Sequence, residues 1–407
     1  MLTIKNIKTL AGKVQDWTIP SDCNDILDAK GELTMLPALV DGHVHFRTPG
    51  LEYKEDWITG ARAAIAGGVT TVLDMPNHLP PCTDFSTLQS KKKLIKEQLS
   101  KEGIPLRYHL YLGAEINTIA NAGQLQKDII GIKVFMGSTT GELLMDDPNA
   151  LHRVFQLAAQ KNLLVSVHAE DESLMRKNKE QNAGRKANPS LHSIIRDRSC
   201  AIHAAKQAIQ LAEKYSTPLM ILHVSTKEEA SEIRKAKARG VLVYAEAAPH
   251  HLFLTESDYA EWGTFVQVNP PLRTQKDQDA LWEAIHDRTI DTIGSDHAPH
   301  TREEKQLPYG QAPSGIPGIE TMLPLLLNAR KEQKISLEQI VSLTRINPEC
   351  IFRLPRNKDV VLVDLERKKA VCDKELQTKC GWSPYAGRVL TGWPVYTIVQ
   401  GKVFKVG

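Results

Sequence analysis

Four histidines and one aspartate stand in short apolar segments where each could meet a metal ion. They are His43 and His45 in Asp41-Gly42-His43-Val44-His45-Phe46, His168 in Val167-His168-Ala169-Glu170, His223 in Leu222-His223-Val224-Ser225, and Asp296 in Gly294-Ser295-Asp296-His297. Neutral imidazole and carboxylate are the ligands zinc takes in hydrolytic sites. Side chains two apart on a strand point to one side, so His43 and His45 can grip a single cation together. A lone strand-end histidine is ordinarily a hydrogen-bonded packing group, but four of them with an acidic strand end make coincidence a poor explanation. Two neighbouring metals also need an anionic bridge. The segment Gly131-Ile132-Lys133-Val134-Phe135-Met136 ends without an acid but offers Lys133. A protonated amine cannot ligate zinc. Burial lowers the amine pKa, and the free base can then take up carbon dioxide as a carbamate with two oxygens. From the residues alone, a surface lysine is the plainer reading of Lys133. His109, His152, His192, His203 and His286 read as surface or packing groups, while His78, His250 and His251 lie near strand ends and stay unassigned.

A scaffold must bring these segments together. Strand-like runs occur at Leu36–Phe46, Val69–Met75, Arg107–Leu112, Ile129–Met136, Leu163–Ala169, Leu219–Val224, Val241–Ala247 and Thr289–Ser295. Helix-like stretches lie between them at Trp57–Ala66, Phe85–Lys101, Ala150–Lys161, Arg198–Lys214, Lys227–Arg239 and Asp277–His286. This alternation predicts an α/β fold, a (β/α)8 TIM barrel that presents its chemistry at the C-terminal ends of its strands. No G-x-G-x-x-G turn follows the first strand, which disfavours a dinucleotide-binding sheet. Both chain ends are β-rich. Residues 1–34 and 358–407 are therefore expected to form one small β-sandwich domain, and residues 35–357 the barrel. The Gly/Pro-rich Gln306–Gly318 reads as a loop.

The 407 residues, 42% hydrophobic, can bury a large core, and the net charge of +3 argues against nucleic-acid or membrane-surface partners. A mild basic excess suits a small anion. Cys23, Cys82, Cys200, Cys350, Cys372 and Cys380 form no C-x-x-C pair and read as reduced thiols. With no secretory signal and no apolar run long enough to span a bilayer, the expected compartment is cytoplasmic.

The motifs also form a set. Asp41-Gly42-His43-Val44-His45-Phe46-Arg47-Thr48-Pro49-Gly50, Asp74-Met75-Pro76-Asn77, Lys133-Val134-Phe135-Met136, Val167-His168-Ala169-Glu170, His223-Val224-Ser225, Pro249-His250-His251-Leu252-Phe253-Leu254-Thr255, Asn269-Pro270-Pro271-Leu272-Arg273 and Ser295-Asp296-His297-Ala298-Pro299-His300 resemble the cyclic amidohydrolases. Among these they are most similar to the dihydroorotases. The motifs run in family order over nearly the whole chain, and Gly381-Trp382-Ser383-Pro384-Tyr385-Ala386-Gly387 resembles the family's closing segment. The resemblance implies a binuclear zinc centre, with His43, His45 and Asp296 on one Zn2+ ion, His168 and His223 on the other, and N6-carboxylated Lys133 between them. Some relatives bridge with an aspartate soon after the fourth strand. Here that stretch reads Gly137-Ser138-Thr139-Thr140-Gly141, so Lys133 is the better candidate and Asp146 the fallback.

The resemblance further implies reversible hydrolysis of dihydroorotate to N-carbamoyl-aspartate in de novo pyrimidine biosynthesis, with Asp296 as the proton carrier. Arg47 is placed to bind the carboxylate of a small anionic pyrimidine with two parallel hydrogen bonds. Asn77 and Asn269 would share that carboxylate, His300 would bind substrate, and Gly315 to Gly318 would bring backbone groups to the pyrimidine edge. Thr139 and Thr140 sit in a loop that could close over it. Against these roles, Arg47 could pair with Glu52 or Glu55, and Asn77 could cap a turn. The family alone suggests a homodimer. An allantoinase or hydantoinase would share the metal site, and a hydantoinase is expected to lack an arginine at the place of Arg47. A non-catalytic scaffold relative would have lost metal ligands, whereas all six are present. His78 stands where threonine is common, and Cys200 where relatives carry an acidic residue.

Overall fold

The computed structural model describes residues 1–407 except 23, 116–126 and 142. The chain opens with β1 (Leu2–Lys8), β2 (Val14–Ile19), β3 (Ile26–Asp28) and β4 (Thr34–Pro37), and then enters β5 (Leu39–Val44). The sequence reads residues 36–46 as a single strand. The structure instead changes sheets at Ala38. Pro37 pairs with Val360 in one sheet, Ala38 donates its N–H to Asp359 O at 3.0 Å, and Leu39 donates to Gly68 O at 2.9 Å in the other. Proline has no N–H to continue a ladder, so Pro37 ends the first pairing.

From β5 the chain alternates strand and helix through β6 (Val69–Asp74), β7 (Arg107–Gly113), β8 (Gly131–Phe135), β9 (Val165–His168), β10 (Leu219–Ile221), β11 (Val243–Ala247) and β12 (Thr292–Ile293). These eight strands are sequential neighbours in one parallel sheet. The sheet closes between its ends: Val44 bridges His297 in parallel, and His45 donates its N–H to His297 O at 2.8 Å. The last strand keeps only two of the residues expected from Thr289–Ser295, and beyond it the backbone reaches a φ of +46° at Asp296. Helix starts follow their capping residues. Trp57–Ala66 begins behind Asp56, Phe85–Glu102 behind Asp84, Lys227–Ala238 behind Thr226 and Gln275–His286 behind Thr274, each with a reciprocal cap.

After the barrel come β13 (Val360–Ala370), β14 (Val389–Val399) and β15 (Lys402–Lys405), which join the N-terminal strands in a curled sheet ordered β15-β14-β13-β4-β1-β2, with β3 on β1. Its own core includes Leu2, Ile4, Ile7, Ile19, Leu362 and Ile398. Inside the barrel an apolar layer of Val40, Leu73, Tyr111, Met220 and Leu222 packs with Phe352 and Leu354, which arrive after the last barrel strand. This layer is a floor of packed side chains, as barrels of this size require. The five described cysteines are free, while Cys23 lies outside the described residues. Among the described residues, no helix is long and apolar enough to cross a membrane.

One buried ion pair fixes the start of the functional face. Lys91, on the helix after β6, puts Nζ 2.5 Å from Asp74 Oδ2 and donates to Met75 O at 3.1 Å. The other oxygen of Asp74 accepts the N–H of Phe46 at 2.8 Å, which pins the backbone between His45 and Arg47. Removing one partner of a buried pair leaves an uncompensated charge. Lys91→Met is expected to cost about 3–5 kcal/mol of stability by denaturant unfolding. A loss well under 1 kcal/mol would show that Asp74 is satisfied without the lysine.

Candidate metal centre

The strand ends converge on one cavity. Its wall includes His43, His45, Lys133, His168, His223 and Asp296, together with Arg47, Asn77, Asn269 and Gly315. His300 stands behind this wall, against Arg47. Asp146 lies elsewhere, on the surface beside Arg176.

Ligands about 2.0–2.1 Å from a tetrahedral zinc stand about 3.3 Å apart. His43 Nε2 and His45 Nε2 each lie 3.3 Å from Asp296 Oδ1. His168 Nδ1 lies 3.0 Å from His223 Nε2. Ligand atoms of His43, His223 and Asp296 fall within 4.8 Å of one another, so both groups share the cavity. The histidines are poised as neutral donors. Burial is the main cause in each: it holds His43 down at about 3, keeps His45 and His223 well below the ordinary imidazole range, and lowers His168. Three rings have their rear nitrogen engaged. His43 Nδ1 donates to Glu246 Oε1 at 2.8 Å, His45 Nδ1 donates to Asn77 Oδ1 at 2.7 Å, and His168 Nε2 lies 3.0 Å from Glu170 Oε2. These contacts assign the tautomers and leave a lone pair facing the cavity in each ring. Donor set, spacing and protonation therefore fit divalent metal.

Lys133 is 1% exposed and rests 4.6 Å from the centre of the Phe135 ring. Burial pulls its amine down to about 7, against the opposing pull of Asp296 and Glu246. Near neutral pH a large fraction of the amine is therefore free base.

On the substrate side, the wall presents donors. Arg47 is 3% exposed and has φ +61°. Its Nε donates to Pro299 O at 3.1 Å, and Nη2 lies 3.1 Å from His300 Nε2. Neither Glu52 nor Glu55 pairs with it. Glu52 accepts from Gly50 N, and Glu55 is taken up by Thr59, His297, Thr378 and Lys379. Asn77 gives its oxygen to His45, and its amide NH2 faces Thr140 O at 2.9 Å. Asn269 gives its oxygen to His192 Nε2 at 2.9 Å, and its NH2 reaches Thr139 Oγ1 at 3.1 Å. Thr140 Oγ1 donates to Ser314 O at 3.3 Å, so the Ser138–Gly141 loop lies over the cavity in contact with both asparagines. His300 is fully buried; Lys54 Nζ donates to its Nδ1 at 3.0 Å, and its Nε2 donates to Ser314 O at 3.0 Å. Gly315 has φ +133°, and a Cβ there would stand 2.6 Å from Ala298 O, so only glycine lets this wall close.

Several residues that reading by type left without a role belong here. Asp41 Oδ1 accepts from His43 N at 3.2 Å and Ser295 N at 3.0 Å, tying the first and last strand ends together. Glu246 and Glu170 stand behind the candidate ligands His43 and His168. His192, expected to be a surface or packing group, is 5% exposed and holds Asn269. The sequence signal available for Asp41 and Glu170 was their position two residues from a candidate ligand histidine; Asp41 shares a side of β5 with His43, whereas Glu170 follows the end of β9. His78 is buried outside the cavity wall, with Nδ1 donating to Pro80 O at 2.7 Å.

Comparison with known proteins agrees with this geometry. The model of the amidohydrolase family matches residues 34–404. The dihydroorotase of Methanosarcina acetivorans is 35% identical over 402 residues, covering 94% of this chain and 84% of its own. That of Bacillus licheniformis is 36% identical over 391 residues, covering 93% and 88%. Among solved structures, the L-hydantoinase (dihydropyrimidinase) from Arthrobacter aurescens superposes with a TM-score of 0.90 at 24% identity, covering 99% of this chain and 95% of that one, which speaks for the shared fold.

The lowered amine of Lys133 has a consequence for the metal-free protein. The unfolded chain holds this proton to about pH 10.4, whereas the folded chain releases it near 7. Between those values the unfolded state binds more protons, so this group makes stability rise with pH, by at most about 1.4 kcal/mol per pH unit. Denaturant unfolding of the metal-free protein from pH 7 to 9.5 should show the rise, and Lys133→Met should flatten it. Parallel curves for the two proteins would place the lysine proton elsewhere.

Proposed function

Since the chain belongs to the amidohydrolase family, we propose that it is a dihydroorotase, a hydrolase of the cyclic amide bond of dihydroorotate that yields N-carbamoyl-aspartate and also catalyses the reverse closure. Arg47 carries this assignment. A buried guanidinium costs free energy unless an anion meets it, and among the described residues no carboxylate pairs with it. Dihydroorotate carries a carboxylate beside its ring. Asn77 and Asn269 support the same match: their amide oxygens are committed to His45 and His192, so only their NH2 groups remain for a ligand. An anion is favoured over a neutral ring by this donor-only wall.

In this proposal His43, His45 and Asp296 hold one zinc ion, His168 and His223 hold a second, and carboxylated Lys133 joins them. Zinc held there supplies Lewis acidity toward an amide carbonyl and makes a water acidic near neutral pH. The protein's own groups do the rest. Arg47 with the two asparagines fixes the carboxylate and so aims the scissile carbonyl at the strand ends. Asp296 takes a proton from the attacking water as the water oxygen bonds to the carbonyl carbon, and returns that proton to the ring nitrogen as the C–N bond breaks. The carbon becomes a carboxylate that releases the second proton, the nitrogen becomes the carbamoyl NH2, and both stay on the one ring-opened product. Pro299 O, which accepts from Arg47 Nε, keeps the guanidinium in place, and His300, braced by Lys54 and Ser314, borders the substrate. Gly315 offers backbone groups to the pyrimidine edge, and Thr139 and Thr140 exchange their asparagine contacts for substrate when it enters. A cytoplasmic setting, in which the free thiols stay reduced, belongs to the same proposal.

Turnover of dihydroorotate against hydantoin and allantoin tests the assignment directly. Preference for either neutral ring would make the enzyme a hydantoinase or an allantoinase instead. Arg47→Ala should lower kcat/KM for dihydroorotate by at least about a hundredfold, the scale of losing one charged partner, with metal content unchanged. Lys133→Ala should lose metal and activity together, and full metal occupancy in that variant would point to another bridge.

A further inference from the structure

Among the barrel strands, β11 supplies none of the six candidate ligands, yet it carries the fully buried carboxylate of Glu246. Its Oε1 accepts from His43 Nδ1 at 2.8 Å. We infer that Glu246 is a positioning residue for the metals: it locks His43 as the Nδ1–H tautomer and aims the Nε2 lone pair into the cavity. The inference rests on the reading of this cavity as a zinc site.

The way Glu246 is bonded separates it from ordinary buried acids in this chain. Glu55 accepts from Thr59, His297 and Thr378, and Glu229 accepts from Ser225 and Thr226, so both are saturated by neighbours that serve loops and caps. Glu246 Oε1 has the ring of His43, and Oε2 has no hydrogen-bond partner among the described residues. Burying a carboxylate with so few donors is unfavourable, and the one side-chain contact obtained is with a candidate metal ligand. Gly294 makes the space. A Cβ at Gly294 would stand 2.3 Å from Glu246 Oε2, and one at Gly42 would stand 3.6 Å from it. Gly294 precedes Ser295 and Asp296, so the strand that delivers the aspartate is also shaped to admit this acid. A carboxylate behind a ligating imidazole sets its orientation and raises the basicity of the nitrogen that meets the metal.

The test is zinc affinity, measured by competition with a chromogenic chelator, in wild type, Glu246→Gln, Glu246→Ala and Gly294→Ala. Losing such a partner weakens metal binding by roughly 10- to 100-fold. Glu246→Gln, which keeps the shape, should sit near the low end and Glu246→Ala near the high end. Gly294→Ala, which keeps the acid but crowds it, should also bind zinc more weakly. In zinc-free protein labelled at the histidine ring nitrogens and held at pH 9.5, above the value of about 8 to which burial pushes the Glu246 carboxyl, His43 should be a single Nδ1–H tautomer in wild type and lose that state in Glu246→Ala. A general loosening of the fold would not confine its effect to one ring. If Glu246→Ala fails to fold, Glu246→Gln decides. Wild-type zinc affinity and an unchanged His43 tautomer in the Glu246 variants would overturn the inference and leave the zinc reading standing, whereas a wild type that takes up no zinc would overturn both.

Discussion

A buried histidine serves a metal best when one ring nitrogen is occupied elsewhere and the other is bare. That constraint organises the top of this barrel. Glu246, Asn77 and Glu170 each stand behind a ring, and each comes from a different barrel strand or the loop that follows it. Keeping the rings neutral is the work of burial; choosing which nitrogen faces inward is the work of these partners. The partners need support in turn. Asp41 laces the first strand end to the last, and the Lys91–Asp74 pair holds the backbone just beyond His45.

The two faces of the barrel divide the labour. Below, Tyr111, Met220 and their neighbours fill the interior and Phe352 and Leu354 close it, so water has no route upward through the strands. Above, polar groups crowd together at a density that only mutual satisfaction makes tolerable. The asparagines illustrate the economy. Each uses its oxygen to orient something in the wall and keeps its nitrogen for the cavity, so one side chain both builds the site and lends it a charge preference.

Much of this was legible in the sequence, because two of its signals are local. Alternation of apolar runs with helix-like stretches marks the strand and helix sequence of the barrel, and ligand-type residues at strand ends mark the cavity wall. What stayed hidden depends on partners far apart in the chain. His43 and Glu246 are separated by 203 residues, and no spacing rule joins them. Local proximity also misled. Glu55 looked like a partner for Arg47 but is claimed by Thr378 and Lys379, more than 300 residues away. His192 looked like packing because its value lies in Asn269, on another segment. The sheet change at Ala38 was disguised by unbroken hydrophobicity across Pro37, where hydrogen-bond direction, not polarity, marks the boundary.

Arg47, His223 and Asp296 share a feature that composition does not reveal. Their φ values are +61°, +38° and +46°, in the region that suits glycine and costs other residues roughly 1–2 kcal/mol. Among the described residues, eight other non-glycine ones share this left-handed backbone, but these three meet at one cavity, so part of the energy won by the packed core is held as torsional strain in the segments that aim a guanidinium, an imidazole and a carboxylate inward.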